Sequence, residues 1–172
     1  MIPLDIVIVR VIHIFAGIIW VGGGLLISLL LNRIMANGGP QLGGTVVRAI
    51  YLHSPFLKVV PIVAITTTIA GLYLYGRRVT GTLVGSGDTT QQIVLGIGAL
   101  FGLMAFGHGM FMGRLGQKYA EIAREAGDSP TPEQIGKMVA IGQRIGKNGP
   151  IVSILMIIAV TGMVLPRYLA GF

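Results

Sequence analysis

Apolar residues gather along this chain in four runs, each long enough to cross a bilayer as a helix. A hydrocarbon core of about 30 Å takes about 20 residues of helix, and only structures that close their own backbone hydrogen bonds survive there. The runs extend over about 6–31, 55–75, 93–112 and 151–169. Ser54-Pro55 reads as the N-cap and first helical residue of the second span. Pro61 predicts a kink in that span, unless Thr66, Thr67 or Thr68 re-satisfies the freed carbonyls. Asn148-Gly149-Pro150 reads as a similar entry to the fourth span.

Only one connection reads as long, a cytoplasmic segment over 113–147. Within it Gly127 to Pro130 predicts a stop, and Thr131-Pro132-Glu133-Gln134 has the form of a capping box with proline at the first helical position. A short helix bearing Ile135, Met138, Val139 and Ile145, docked at the membrane surface, is expected to follow. The pattern therefore predicts an all-α fold: an integral membrane four-helix bundle forming a single transmembrane domain over 1–172, with a short amphipathic cytoplasmic helix between spans three and four.

Composition sharpens this picture. Residues are 53% hydrophobic and 11% charged, and mean hydropathy is +0.80, against roughly 25% charged in a soluble domain. This argues against an ordinary water-soluble enzyme and excludes a disordered chain. The 27 glycines follow no collagen period and suit closely packed membrane helices. With no cysteine, disulfides, thiolate metal sites, iron–sulfur clusters and cysteine nucleophiles all fall away. The first run follows Asp5, is too long for a signal peptide and precedes no small-x-small cleavage site, so it reads as a retained span.

The net charge of +7 becomes a topology signal once its cations are placed. Arg33, Arg48, Lys58, Arg114, Lys118, Arg124, Lys137, Arg144 and Lys147 fall on one side, and Arg10, Arg77, Arg78 and Arg167 on the other. The richer side is expected to be cytoplasmic, with both termini outside and the inner membrane as location. The cations flank spans rather than forming one face, so nucleic acid is not an expected partner. The expected partners are the lipid bilayer and either a membrane electron-transfer partner or further copies of the chain.

Polar chemistry inside the spans rests on few groups. The apolar runs contain no Asp or Glu, which argues against a proton- or cation-driven transporter, while all three histidines lie in or beside spans. Arg10, His13, Gly17, Trp20 and Gly24 recur at steps of three or four and share a face. An imidazole beside two bare positions, with an indole beyond, suits a flat macrocycle whose iron His13 ligates. The alternative is a histidine hydrogen-bonded to a neighbouring helix's backbone or threonine.

In the third span Gly98, Gly102, Ala105, Gly109, Gly113 and Gly116 form a packing stripe. His108 falls on another face with Phe101, Met104, Phe111 and Met112. With His53 near, these thioethers and imidazoles also suit Cu(I). At 1.5 Å per residue His13 lies roughly 10 Å inside the outer end and His108 roughly 6 Å inside the cytoplasmic end. One haem between His53 and His108, or separate sites in the two leaflets, are both open. Arg10, Arg77, Arg78 and Arg167 are candidate partners for haem propionates or for lipid headgroups.

These residues carry a resemblance. Arg10-Val-Ile-His13 followed by Trp20-Val-Gly-Gly23 resembles the opening helix of bacterial four-helix protoporphyrinogen IX oxidases of the HemJ type. His53-Ser-Pro55 through Ala70-Gly71-Leu72-Tyr73-Leu74 is similar to that family's second helix. Arg144, Asn148 and Pro150 before a span closing in Val164-Leu-Pro166 are similar to its last helix. The related copper resistance D (CopD) family uses the same helix grammar. The chain departs at Arg10 and at Gln91-Gln92, where the oxidases carry lysine, and at Gly149, where they carry an acid. The resemblance implies a b-type haem bundle with His13 as ligand, and an oxidoreductase if the chain is an enzyme.

Three functions follow as expectations. The first is a membrane cytochrome-b-like protein holding haem b, with His13, His108 and His53 as metal ligands and Arg10, Gly17 and Trp20 beside the cofactor. The second is copper handling of the copper resistance D type through His108, Met104, Met110 and Met112. The third is a non-catalytic subunit of a larger membrane complex, with the glycine stripe as the intersubunit seam.

Overall fold

A computed structural model of the chain describes residues 3–80 and 89–169, and every one of its regular elements is helical. Helix α1 (Leu4–Leu26) begins at Pro3 with Asp5 in its first turn, where a carboxylate complements the helix dipole. It passes through a π-helical turn (Ile27–Leu31) into α2 (Asn32–Asn37), so the first apolar run and its polar tail form one continuous rod. Gly39, at φ +69°, turns the chain in a conformation that favours glycine.

The next element corrects the expectation of a single long connection. Helix α3 (Gly39–His53) fills the segment between the first two spans. Gly43, Gly44, Thr45, Val46 and Val47 are weak helix formers, so local propensity hides it. Packing overrides propensity: Val47 is buried, and Gly43 and Gly44 lie against Tyr119 and Ala123 of the third long helix. At its end Ser54 is extended, and its hydroxyl accepts from the Phe56 N–H at 3.2 Å. The helix thus restarts one residue later than read, with Pro55 as the N-cap and Phe56 as the first helical residue, while Ser54 holds the Phe56 N–H from outside. Helix α4 (Phe56–Val79) then runs without interruption through Pro61. Thr66 and Thr68 hydroxyls donate back to Ile62 and Ala64 carbonyls at 2.9 and 2.7 Å.

Helix α5 (Thr89–Ala126) has 38 residues and α6 (Pro132–Val164) has 33. Both exceed the roughly 20 residues that a bilayer core requires. The turn between them matches its sequence signals: Gly127 has φ +58°, and the Thr131–Gln134 capping box is complete on both sides. The short surface helix does not exist as a separate element. Residues 132–147 are helical, but they continue through Asn148-Gly149-Pro150 into the fourth span, so those three residues are helix interior rather than an entry.

Pro150 lacks the N–H that would bond the Gly146 carbonyl. Side chains bond two other carbonyls near that point. The Ser28 hydroxyl donates to the Gly149 carbonyl at 2.7 Å, and the Asn148 amide donates to the Arg144 carbonyl at 2.8 Å. Gly142 and Gly146 let α2 come close, since a Cβ on either would lie 2.6 Å from the Met35 carbonyl oxygen or 2.7 Å from the Ala36 Cβ. Met138 and Ile145 are buried in this contact, while Ile135 and Val139 remain exposed. The stretch is therefore an extension of the bundle, not a helix lying on the membrane.

The four apolar helices pair as two antiparallel hairpins, α1 with α4 and α5 with α6, and α2 with the π turn packs on α6. At the closest approach a Cβ on Gly98 would lie 2.7 Å from the Gly162 backbone. One core cluster at the α3 end contains Met35, Val47, Tyr119, Met138 and Ile145; a second, midway, contains Ala105, Val152, Leu155 and Met156. Isoleucine and leucine side chains dominate the outer surface, as they would against lipid acyl chains. The stripe on α5 divides. Gly98 and Gly102 meet α6, whereas Gly109, Gly113 and Gly116 face open space.

Candidate functional site

His13 lies on the face of α1 that meets α4, opposite Thr67 and Gly71. Its Nδ1 is 2.8 Å from the Thr67 carbonyl oxygen. A carbonyl only accepts, so Nδ1 is the donor, and in the neutral ring the lone pair then sits on Nε2. The Thr67 hydroxyl donates to the His13 carbonyl at 2.9 Å, and its oxygen sits 3.2 Å from Nδ1. Thr67 is 3% exposed and so grips both the ring and the backbone of His13. One turn on, Gly71 lets the ring lie against α4, because a Cβ there would fall 2.8 Å from His13 Cε1.

Such an arrangement is how proteins prepare an imidazole for a metal. The second nitrogen donates to a backbone carbonyl, which fixes the tautomer and the ring and raises the basicity of the free nitrogen. In the neutral ring, Nε2 is the nitrogen of His13 that could ligate a metal. The same contacts also realise the other alternative open from sequence, a histidine bonded to a neighbouring helix, and one geometry serves both.

The remaining residues of the expected floor have other tasks. A Cβ on Gly17 would meet the Thr67 hydroxyl at 3.3 Å, and one on Gly24 would meet the Met156 thioether at 2.6 Å. Thr67 and Met156 thus fill the space over both glycines, which serve helix contact rather than an open floor. Trp20 meets Phe106 of α5 edge-on, with ring centroids 6.4 Å apart, and packs against the midway core cluster. Arg10 is exposed one turn before His13. Arg77 lies 3.8 Å from the Asp5 carboxylate and stacks on Tyr73, whose hydroxyl donates to Asp5 at 2.7 Å. Asp5, outside the apolar run, thereby ties the ends of α1 and α4. Arg78 buries its Nε with no partner among the described residues.

The other two histidines are not brought to His13. Trp20 and Phe106 set the register of α1 against α5; His13 lies seven residues before the one and His108 two beyond the other. That separates the two imidazoles by about 13 Å in depth. His108 has a buried Nε2 without a hydrogen-bond partner among the described residues and a tilted contact with Phe111 at 5.9 Å. His53 is exposed at the end of α3. No group of three or more His, Asp or Glu side chains that could hold a metal occurs among the described residues.

A buried polar knot escaped the sequence reading. Ser153 donates to the Ser28 hydroxyl at 2.8 Å, and Ser28 donates to the Gly149 carbonyl, with Asn32 5% exposed beside them. The knot pins the π turn of the first rod opposite Pro150 of α6. Its only sequence signal is the four-residue spacing of Ser28 and Asn32 at the end of an apolar run.

Compared with models of known protein families, with curated proteins and with solved structures, the chain shows no match.

Proposed function

We propose that this chain is a multi-pass protein of the cytoplasmic membrane that binds haem b through Nε2 of His13 and serves electron transfer or porphyrin redox chemistry. The observation that carries this reading is the bonding of the imidazole on one side, with Nδ1 held by Thr67 and no hydrogen-bond partner for Nε2 among the described residues. Bound haem supplies a one-electron couple at its iron. Thr67 and Gly71 orient the ring, Trp20 and Phe106 close the bundle toward the α3 end, and Arg10 and Arg78 offer guanidinium groups for propionates. Nine cations at the α3 end and four at the other support a cytoplasmic α3 end with both termini outside. The resemblance to HemJ-type oxidases in the first span agrees with this assignment.

Purification in mild detergent from haem-replete cells, followed by a pyridine haemochrome spectrum, tests it. A b-type spectrum is expected for the wild type. His13→Ala should lose the haem while circular dichroism stays helical. A colourless wild-type preparation overturns the reading.

Copper handling of the copper resistance D type is the second reading, favoured by the unpartnered Nε2 of His108 with Met104 and Met112 one turn to either side. Cu(I) titration of the wild type against His108→Ala decides it: an unchanged stoichiometry removes His108 from any copper site.

A further inference from the structure

Beyond the apolar spans lies an open surface groove of two adjoining concavities, about 330 and 390 Å³, the first on the face of α5 and the second between α5 and α6, which share Lys118 and Glu121. Arg114 and Lys118 line it from α5, and Lys137 and Arg144 from α6. Lys137 is paired with Glu133 at 2.7 Å, whereas Arg114, Lys118 and Arg144 make no ion pair among the described residues. Lys118 and Arg144 therefore share the concavity between the helices with Glu121, and Arg114 lines the adjoining one.

The depth of the groove restricts what can fill it. Beyond the hydrocarbon core each leaflet has a headgroup layer roughly 5–7 Å thick. Arg114 lies about 3 Å and Lys118 about 9 Å past Met112, the last residue of the apolar run. Arg144, which shares a concavity with Lys118, lies about 10 Å before Ile151. Long cationic side chains bend back toward the lipid boundary, so all three reach the phosphate level. Phe111, half-exposed, marks the apolar edge below.

We infer that this groove binds the phosphodiester of an anionic membrane phospholipid. Arg114 and Arg144 present planar forks that match phosphate oxygens, and Lys118 adds a point charge between them. Glu121 opposes a second negative charge, which favours a monoanionic phosphodiester over a dianionic phosphate. The inference is independent of haem, and it requires only that the α3 end lies at a membrane surface.

The test uses the full chain, stripped of lipid in mild detergent and titrated with short-chain phosphatidylglycerol, short-chain phosphatidylcholine or inorganic phosphate. Native mass spectrometry and the thermal unfolding midpoint are read together. Phosphatidylglycerol should give a saturable adduct and raise the midpoint, whereas phosphatidylcholine and phosphate should do neither. The double variant Lys118→Gln/Arg144→Gln should weaken the adduct about tenfold or more. Arg33→Gln/Arg124→Gln, which leaves the groove intact, should not. Both pairs are exposed, so helix content serves as the folding control. Equal binding by both double variants would reduce the effect to general charge attraction and overturn the inference. Binding of free phosphate as tight as that of the lipid would overturn the phospholipid assignment.

Discussion

At the residue scale the central feature is a histidine whose partners come from a helix more than fifty positions away. Spacing along the first span was enough to single out His13, because a helix face is written in the sequence. What lies opposite that face is not. The register of α1 against α4 depends on packing of both helices, so Thr67 and Gly71 were legible only as a threonine run and a late glycine. The same gap explains the floor at Gly17 and Gly24: the bare positions were real, but side chains from α4 and α6 occupy them. Gly71→Ala follows as a sharp test. Its methyl group would force the imidazole off Thr67, at a stability cost of about 1–3 kcal/mol, and on the proposed haem reading retention should fall nearly as far as in His13→Ala. Haem-to-protein absorbance ratio and thermal unfolding measure the two effects separately.

Tyr119 supplies a second residue-scale prediction. It is 1% exposed, and its hydroxyl has no partner among the described residues. A buried polar group without a partner costs about 1–3 kcal/mol. Tyr119→Phe keeps the ring and removes that group, so it should stabilise the chain by about 1 kcal/mol. A lower midpoint of thermal unfolding would show that the hydroxyl has a partner in the membrane.

At the element scale, sequence signals worked where they were local and failed where they were tertiary. Gly127 and the Thr131–Gln134 box mark the α5–α6 turn as expected, since each acts within a few residues. Pro150 looked like a helix start because proline favours the first turn. It lies instead within a helix that continues past it, where the first rod makes contact through Ser28. α3 was invisible because its glycines and β-branched residues disfavour a helix until α5 covers them. The divided glycine stripe gives a paired prediction. Gly98→Leu must push α5 off the Gly162 backbone and should prevent recovery of folded protein. Gly113→Ala meets nothing and should be neutral or up to about 1 kcal/mol stabilising, as alanine is the better helix former. Yield after gentle extraction and unfolding midpoints compare the two.

At the scale of the whole molecule the two ends differ in charge and in construction. The absence of cysteine makes the orientation easy to probe. A cysteine placed at Ser129 should react with an impermeant maleimide only after the membrane is opened, and one at Leu4 should react in intact cells. The reverse pattern would invert the topology.

The α3 end is also tied by Arg48, which donates to the Asp128 carboxylate in the α5–α6 turn. That hydrogen bond, and then the guanidinium charge, hold the Asp128 carboxyl below its ordinary value of 3.8. A depressed carboxylate stabilises the fold above the ordinary value, and the contribution disappears as pH falls through the lowered one. Protease resistance of the turn should therefore be flat from pH 8 to about 5 and decline only below about 4. Asp128→Asn should lack that decline.

The surplus length of α5 and α6 has a practical consequence. At 1.5 Å per residue they measure about 57 and 50 Å, far beyond a 30 Å hydrocarbon layer. An 18.2 kDa chain thus raises a mast beyond such a layer, braced by α2 and α3 and crowned by a turn that a glycine and a capping box shape. An antibody fragment raised against that turn would stand rigidly upright on the mast, giving a particle too small to image alone the fiducial needed to align it.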